Sequence, residues 1–165
     1  MKPRVGVSAC LLGQPVRYDG DSRPHDWICR VLSLHAELVP ICPETEAGLG
    51  VPRPPVQLVR LSSDEVIMRG VNDPGLDVTE QLLRWLGEQE ERLAGLQALV
   101  LKSRSPSCGL GSTPLFSVDG EMLREDGDGL LAAWIRKRSE SLHLYDEKDL
   151  EQPHRRTELL SRLRQ

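Results

Sequence analysis

The sequence predicts an α/β fold: a single domain with a mostly parallel sheet flanked by helices, Rossmann-like, with a small hairpin flap. Short apolar runs alternate along the chain with stretches of helical periodicity, the signature of strand-helix-strand units. Three of those runs are followed directly by loops carrying a cysteine, as at the C-terminal edge of an open sheet. A length of 165 residues accommodates one such domain, placed at 1–165, and leaves little room for a second.

Val5 to Ala9 is an apolar run closed by a Gly-Gln-Pro turn and reads as the first buried strand, with Cys10 just beyond it. Trp27, Ile28, Val31, Leu32 and His35 recur at helical spacing after Pro24, and Glu37 to Ile41 then forms a second strand that runs into Cys42. The stretch CPETEAGLGVPRPPVQLV is dense in Pro and Gly and is expected to be a long shaped loop. Gln57 to Leu61 and Val66 to Gly70 alternate around Ser62-Ser63-Asp64-Glu65 as a hairpin beside the site.

Asp77-Val-Thr-Glu80 has a capping-box arrangement and opens a helix with Leu82, Leu83, Leu86 and Leu93 on its apolar side, ended by Gly95. Ala98 to Leu101 is a third buried strand, followed by the loop KSRSPSCGLGSTP with Cys108. Leu115 to Val118 is a short strand, Leu130 to Lys137 a helix and Leu142 to Tyr145 a last strand. Pro153 opens a terminal helix over 153–165, with Leu159, Leu160 and Leu163 on one side. No internal repeat or low-complexity linker interrupts this order.

Composition bounds the function. With 39% hydrophobic and 28% charged residues the chain builds a core. A formal net charge of −4, from 21 basic and 25 acidic residues, supplies no general positive field for nucleic acid, so a nucleic-acid partner is not expected. The basic start is broken by Gln14, Pro15 and Arg17 before any signal-peptide pattern develops, and no apolar run has membrane-spanning length. A cytoplasmic address is expected, with no membrane partner. The four Arg of HRRTELLSRLRQ fit an amphipathic helix that closes the domain.

Four cysteines without a CxxC pair suit neither a disulfide scaffold nor a zinc knuckle. Cys29 lies inside a predicted helix and reads as a packed thiol. Cys10, Cys42 and Cys108 occupy strand-end loops that a parallel sheet gathers along one edge. Three thiolates converging from separate segments suit a thiophilic metal or an iron-sulfur cluster with one coordination position open. Core packing of three separate thiols is the competing reading of the same spacing.

VSACLLGQPVRYDG, CPETEAGLGVPRPP, GLDVT and LKSRSPSCG, in this order, resemble the signatures of the thiouracil desulfurase family, over roughly residues 4–150. The resemblance implies a compact α/β fold, a 4Fe-4S cluster held by Cys10, Cys42 and Cys108, and removal of sulfur from a small thiolated nucleobase. It also implies acid/base work by Glu44 and a stabilising role for Ser103. On chemical grounds Glu44, two residues from a ligand and beside a negatively charged cluster, is expected to have a raised pKa and to activate water; a loop carboxylate is the alternative. Ser103 is expected to hydrogen-bond charge developing on the intermediate; a turn serine is the alternative.

Substrate contacts are expected from Ser8, Asp19, Arg53, Ser105 and Ser107, with Gly109 shaping the last loop and Lys102 adding positive charge. Two departures from the family pattern bear on substrate choice: Asp21-Ser22-Arg23-Pro24 follows RYDG, and Gln57 stands where Glu is common. The reading from a different functional class is a non-catalytic metal- or cluster-binding sulfur carrier or sensor.

Overall fold

The computed structural model describes residues 2–138 and 141–165. In chain order the strands are β1 (Arg4–Ser8), β2 (Glu37–Ile41), β3 (Val56–Arg60), β4 (Val66–Gly70), β5 (Ala98–Leu101), β6 (Thr113–Ser117), β7 (Met122–Gly127) and β8 (His143–Asp146). The α-helices are α1 (Ser33–His35), α2 (Pro43–Glu46), α3 (Thr79–Gly87), α4 (Glu90–Ala94), α5 (Leu130–Arg138) and α6 (Pro153–Leu163). No helix among the described residues is long and apolar enough to cross a membrane.

Uninterrupted Val and Leu runs require burial on both faces, and the first sheet provides it. Its order is β2-β1-β5-β8, and every pairing is parallel. Val5, Val7, Val100 and Tyr145 face Ile28, Leu32, Leu159 and Leu163 on one side. Ile41, Leu99 and Leu101 face Trp85, Leu86, Leu93, Leu131 and Ile135 on the other. Alternating side chains thus feed two helical layers from one sheet. Pro40, which donates no backbone hydrogen bond, is accommodated because β2 is an edge strand.

The expected hairpin is present as β3 and β4, but it is not a separate flap. It is half of a second, mixed sheet of order β4-β3-β6-β7, whose Leu58 and Met68 pack on Val78 and Leu82. The strand expected at Leu115 to Val118 is β6, recruited to this second sheet by parallel pairing with β3. Pro114 falls where the β6–β7 register shifts, a place that tolerates a missing N–H. β7, MLREDG, is absent from the sequence expectation because its polar, mostly exposed residues carry no strand pattern; pairing with β6 decides it.

Three helical expectations change in detail. The segment after Pro24 widens into a π-helical turn at Ile28–Leu32 before α1, which rotates Leu34 and His35 into solvent and brings Ala36 inside. The single helix expected up to Gly95 is two, α3 and α4, and the Gln89 side chain between them donates to Trp85 O at 3.0 Å. Leu83 is exposed rather than on the apolar side. Asp77 holds the start of α3 by accepting from Thr79 N and Oγ1 at 2.9 and 2.6 Å, from one residue outside the capping position. The long loop after Cys42 contains the short helix α2.

α6 closes the first sheet through Tyr145, which donates to Glu158 at 2.8 Å, accepts from Arg162 at 2.8 Å and has the Arg155 guanidinium over its ring. Burial and then the Glu158 bond push its phenol up to about 12. A folded-state pKa raised above the unfolded one contributes stability that is complete below pH 10 and lost as pH rises through 12. Thermal unfolding followed against pH is expected to fall over that window in the native chain, and to fall less steeply in Tyr145→Phe.

Candidate active site

Local geometry aims three thiols at one cavity. β1 ends in a single 3-10 turn, Ala9–Leu12, stopped by Gly13 at φ 89°, where a side chain would be strained; this turn places Cys10 at the strand end. Cys42 caps α2, with Pro43 at its first position, and its N–H donates to Glu46 at 2.9 Å. After β5, Arg104 adopts φ 67° and turns the chain so that Ser105 Oγ accepts from Ser107 N and Cys108 N at 3.1 and 3.0 Å. The cavity at this sheet edge has a volume of about 340 Å³ and is lined by Cys10, Cys42, Cys108, Glu44, Lys102 and Ser103 among others.

All four cysteines are free. Burial pushes the Cys10 thiol up, with Lys102 and Arg17 working against it. Burial also pushes Cys108 up, against a hydrogen bond from Ser8. Among the described residues no three His, Cys, Asp or Glu side chains gather closely enough for a single metal ion. A cluster takes each thiolate on a different iron and so spreads its ligands, which suits three cysteines around one cavity.

Glu44 leaves the first turn of α2 with both carboxylate oxygens engaged. Arg53 Nε donates to Oε1 at 3.0 Å and Ser107 Oγ to Oε2 at 2.7 Å, with side-chain exposures of 6% for Arg53 and 12% for Glu44. Arg53 also donates to Gly50 O at 2.9 Å, which ties the Pro-rich loop to the site. Arg53, Ser105 and Ser107 line the cavity, and their polar atoms brace Glu44 and the Cys108 loop. Ser8 lines it too and accepts from Lys102 N at 2.8 Å. Asp19 does not: it is exposed and accepts from Asp21 N at 3.0 Å, closing its own turn. Ser103 faces the cavity, but its one hydroxyl proton goes to Glu147 at 2.9 Å rather than into the open space.

A family model described as 2-thiouracil desulfurase matches residues 5–148. The chain belongs to this family. Membership makes it an enzyme of the desulfurase class. The uncharacterized protein YbbK of Bacillus subtilis (strain 168) is 29% identical over 136 residues, which span 79% of this chain and 88% of YbbK. Among solved structures, the 4Fe-4S-dependent thiouracil desulfidase TudS superposes with a TM-score of 0.72 at 30% identity, covering 96% of this chain and 99% of that one.

Two residues at or next to the cavity were not anticipated. Arg17 lines the cavity with its Nε buried and without a hydrogen-bond partner among the described residues. Glu147 lies behind Lys102 and Ser103; the strand-end rule that selected the cysteines points to it as well, since it follows the last strand directly.

The Cys108 loop is set by α5. Gly129 N donates to Gly109 O at 2.8 Å and Leu131 N to Ser107 O at 2.8 Å, so loop carbonyls satisfy the helix's first N–H groups. A Cβ on Gly129 would lie 2.5 Å from Ser107 C and 2.7 Å from Cys108 N, both backbone atoms. Gly129→Ala is therefore expected to displace the loop, cost about 1–3 kcal/mol in thermal unfolding, and reduce reconstituted iron content. Gly87→Ala, where a Cβ meets open space, is the matched control.

Proposed function

We propose that this chain is a thiouracil desulfidase that converts a small thiolated pyrimidine to the oxo compound plus sulfide, using a 4Fe-4S cluster held by Cys10, Cys42 and Cys108. The observation that carries the reading is the meeting of these three free thiols and the braced Glu44 carboxylate in one cavity. When bound, the cluster would supply a thiophilic Lewis acid for the C=S sulfur and for the sulfur that departs, with no net electron transfer.

The chain's own groups handle water, protons and orientation. Glu44, fixed by Arg53 and Ser107, takes a proton from the water that adds to the thiocarbonyl carbon and returns it as the C–S bond breaks, so both water protons leave with sulfur as hydrogen sulfide. Ser103 meets the thioamide group, and the Lys102 charge beside it favours the negative charge that builds up on the adduct. Ser8 completes the polar wall, and the unpartnered Nε–H of Arg17 suits a ring carbonyl. A free nucleobase fits a cavity of about 340 Å³ and a net charge of −4 better than RNA does.

Anaerobic reconstitution with iron and sulfide, followed by iron counting and sulfide release from 2- and 4-thiouracil, tests the proposal. The expected result is about four irons per chain and turnover on at least one of the two. Full loading without sulfide release from either would remove thiouracil as the substrate and favour another thioamide or a cluster-bearing sulfur carrier or sensor.

A further inference from the structure

We propose that Glu147 is a positioning residue of this site: it turns Ser103 into a hydrogen-bond acceptor toward the substrate and so selects thioamides that carry a ring N–H beside the sulfur. The inference rests on the desulfidase reading above.

β8 pairs with β5 in the register Leu101↔Asp146, which brings the next residues, Lys102 and Glu147, side by side past the strand ends. Glu147 is 8% exposed and does not line the cavity. Its Oε1 accepts from Ser103 N at 2.7 Å, and its Oε2 accepts from Ser103 Oγ at 2.9 Å and from Lys102 Nζ at 2.8 Å. Burial works to raise its pKa, but the bonds from Lys102 and Ser103 outweigh burial and hold it below the usual carboxylate range. The group therefore stays charged at neutral pH and accepts only.

A serine hydroxyl has one proton and two lone pairs. With the proton given to Glu147 and one lone pair facing Lys102 Nζ at 3.3 Å, the remaining lone pair is what Ser103 offers the cavity. Its complement is a donor, and the ring N–H adjoining a thiocarbonyl is one. Ser103 N and Oγ reach different oxygens of Glu147, and a glutamine replaces one of those oxygens with an NH2 donor, so with the amide oxygen held by Ser103 N the hydroxyl proton loses its acceptor and is released to point elsewhere.

The test compares loaded native protein with Glu147→Gln, Glu147→Asp, Ser103→Ala and the Ser103→Ala/Glu147→Gln pair on thiouracil and on its analogue methylated at the adjoining ring nitrogen. Glu147→Gln is expected to lower kcat/KM on thiouracil about 10- to 100-fold at unchanged iron content, and to narrow the preference over the methylated analogue. Glu147→Asp is expected to recover part of the loss, and the double variant to be no worse than Ser103→Ala alone. In the unloaded protein, the Ser103 amide proton resonance is expected to move upfield in Glu147→Gln as its carboxylate partner disappears.

Native-like kcat/KM in Glu147→Gln, multiplying losses in the double variant, or an unmoved Ser103 amide would overturn the assignment of Glu147 alone. Absence of sulfide release from the loaded native protein would instead remove the desulfidase reading on which it rests.

Discussion

Cys42→Ser is expected to fold and to hold no stable cluster, with sulfide release from thiouracil at background. Cys42 is the half-buried member of the three, at the start of α2, so exchanging its thiol for a hydroxyl disturbs little packing. A serine oxygen is a poor ligand for the thiophilic irons of a cluster, so one anchor is lost while the cavity wall remains. Cys10→Ala and Cys108→Ala, both at buried positions, are expected to lose the cluster as well. Cys29→Ser is the control. Cys29 donates to Leu11 O at 3.4 Å away from the cavity, a bond that serine can keep, so iron content and turnover are expected to stay native and stability to change by less than about 1 kcal/mol. Iron counting with circular dichroism decides between these outcomes. Native iron content in Cys42→Ser would separate Cys42 from the cluster.

Glu44→Gln is expected to keep the cluster and lose about 100- to 10,000-fold in kcat, the range that a positioned acid/base group contributes. The amide cannot take a proton from water. It also presents only one acceptor where Arg53 and Ser107 donate to two oxygens, so one of these buried donors is left unpaired. Ser107→Ala and Arg53→Lys distinguish positioning from proton transfer, because each loosens the carboxylate without removing it. Losses smaller than that of Glu44→Gln are expected for both, and Arg53→Lys also loses the second bond to Gly50 O. Single-turnover sulfide release on fully loaded protein is the measurement. A native rate in Glu44→Gln would take the base role away from Glu44.

The first sheet was readable because its signal is local. Apolar runs such as those in Arg4–Ser8 and Ala98–Leu101 have no stable place except between two helical layers, and a parallel sheet then brings Cys10, Cys42 and Cys108 to one edge whatever the loop details. The second sheet was not readable as a sheet. β7 has no apolar face and exists through pairing with β6, and β3 of the hairpin becomes an interior strand only because β6 adds beside it, while β4 stays at the edge. The widened turn at Ile28–Leu32 and the break between α3 and α4 change which side chains face the core without changing the residue pattern that suggests a helix.

At the site the division follows the same physics. The sequence by itself determined the class of fold, the three strand-end thiols and the motif-borne prominence of Glu44 and Ser103, because residue type and order along the chain carry all of these. Tertiary structure alone decided what each polar group is bonded to. It turned Asp19 outward into its own loop, engaged Arg53 and Ser107 with Glu44, and left the buried Nε of Arg17, at the cavity, without a partner among the described residues. It also set Glu147 behind Ser103 across the β5–β8 pairing. Hydrogen bonds between residues 9, 44 and 63 positions apart depend on the directions of side chains in the assembled fold, and residue spacing does not encode those directions.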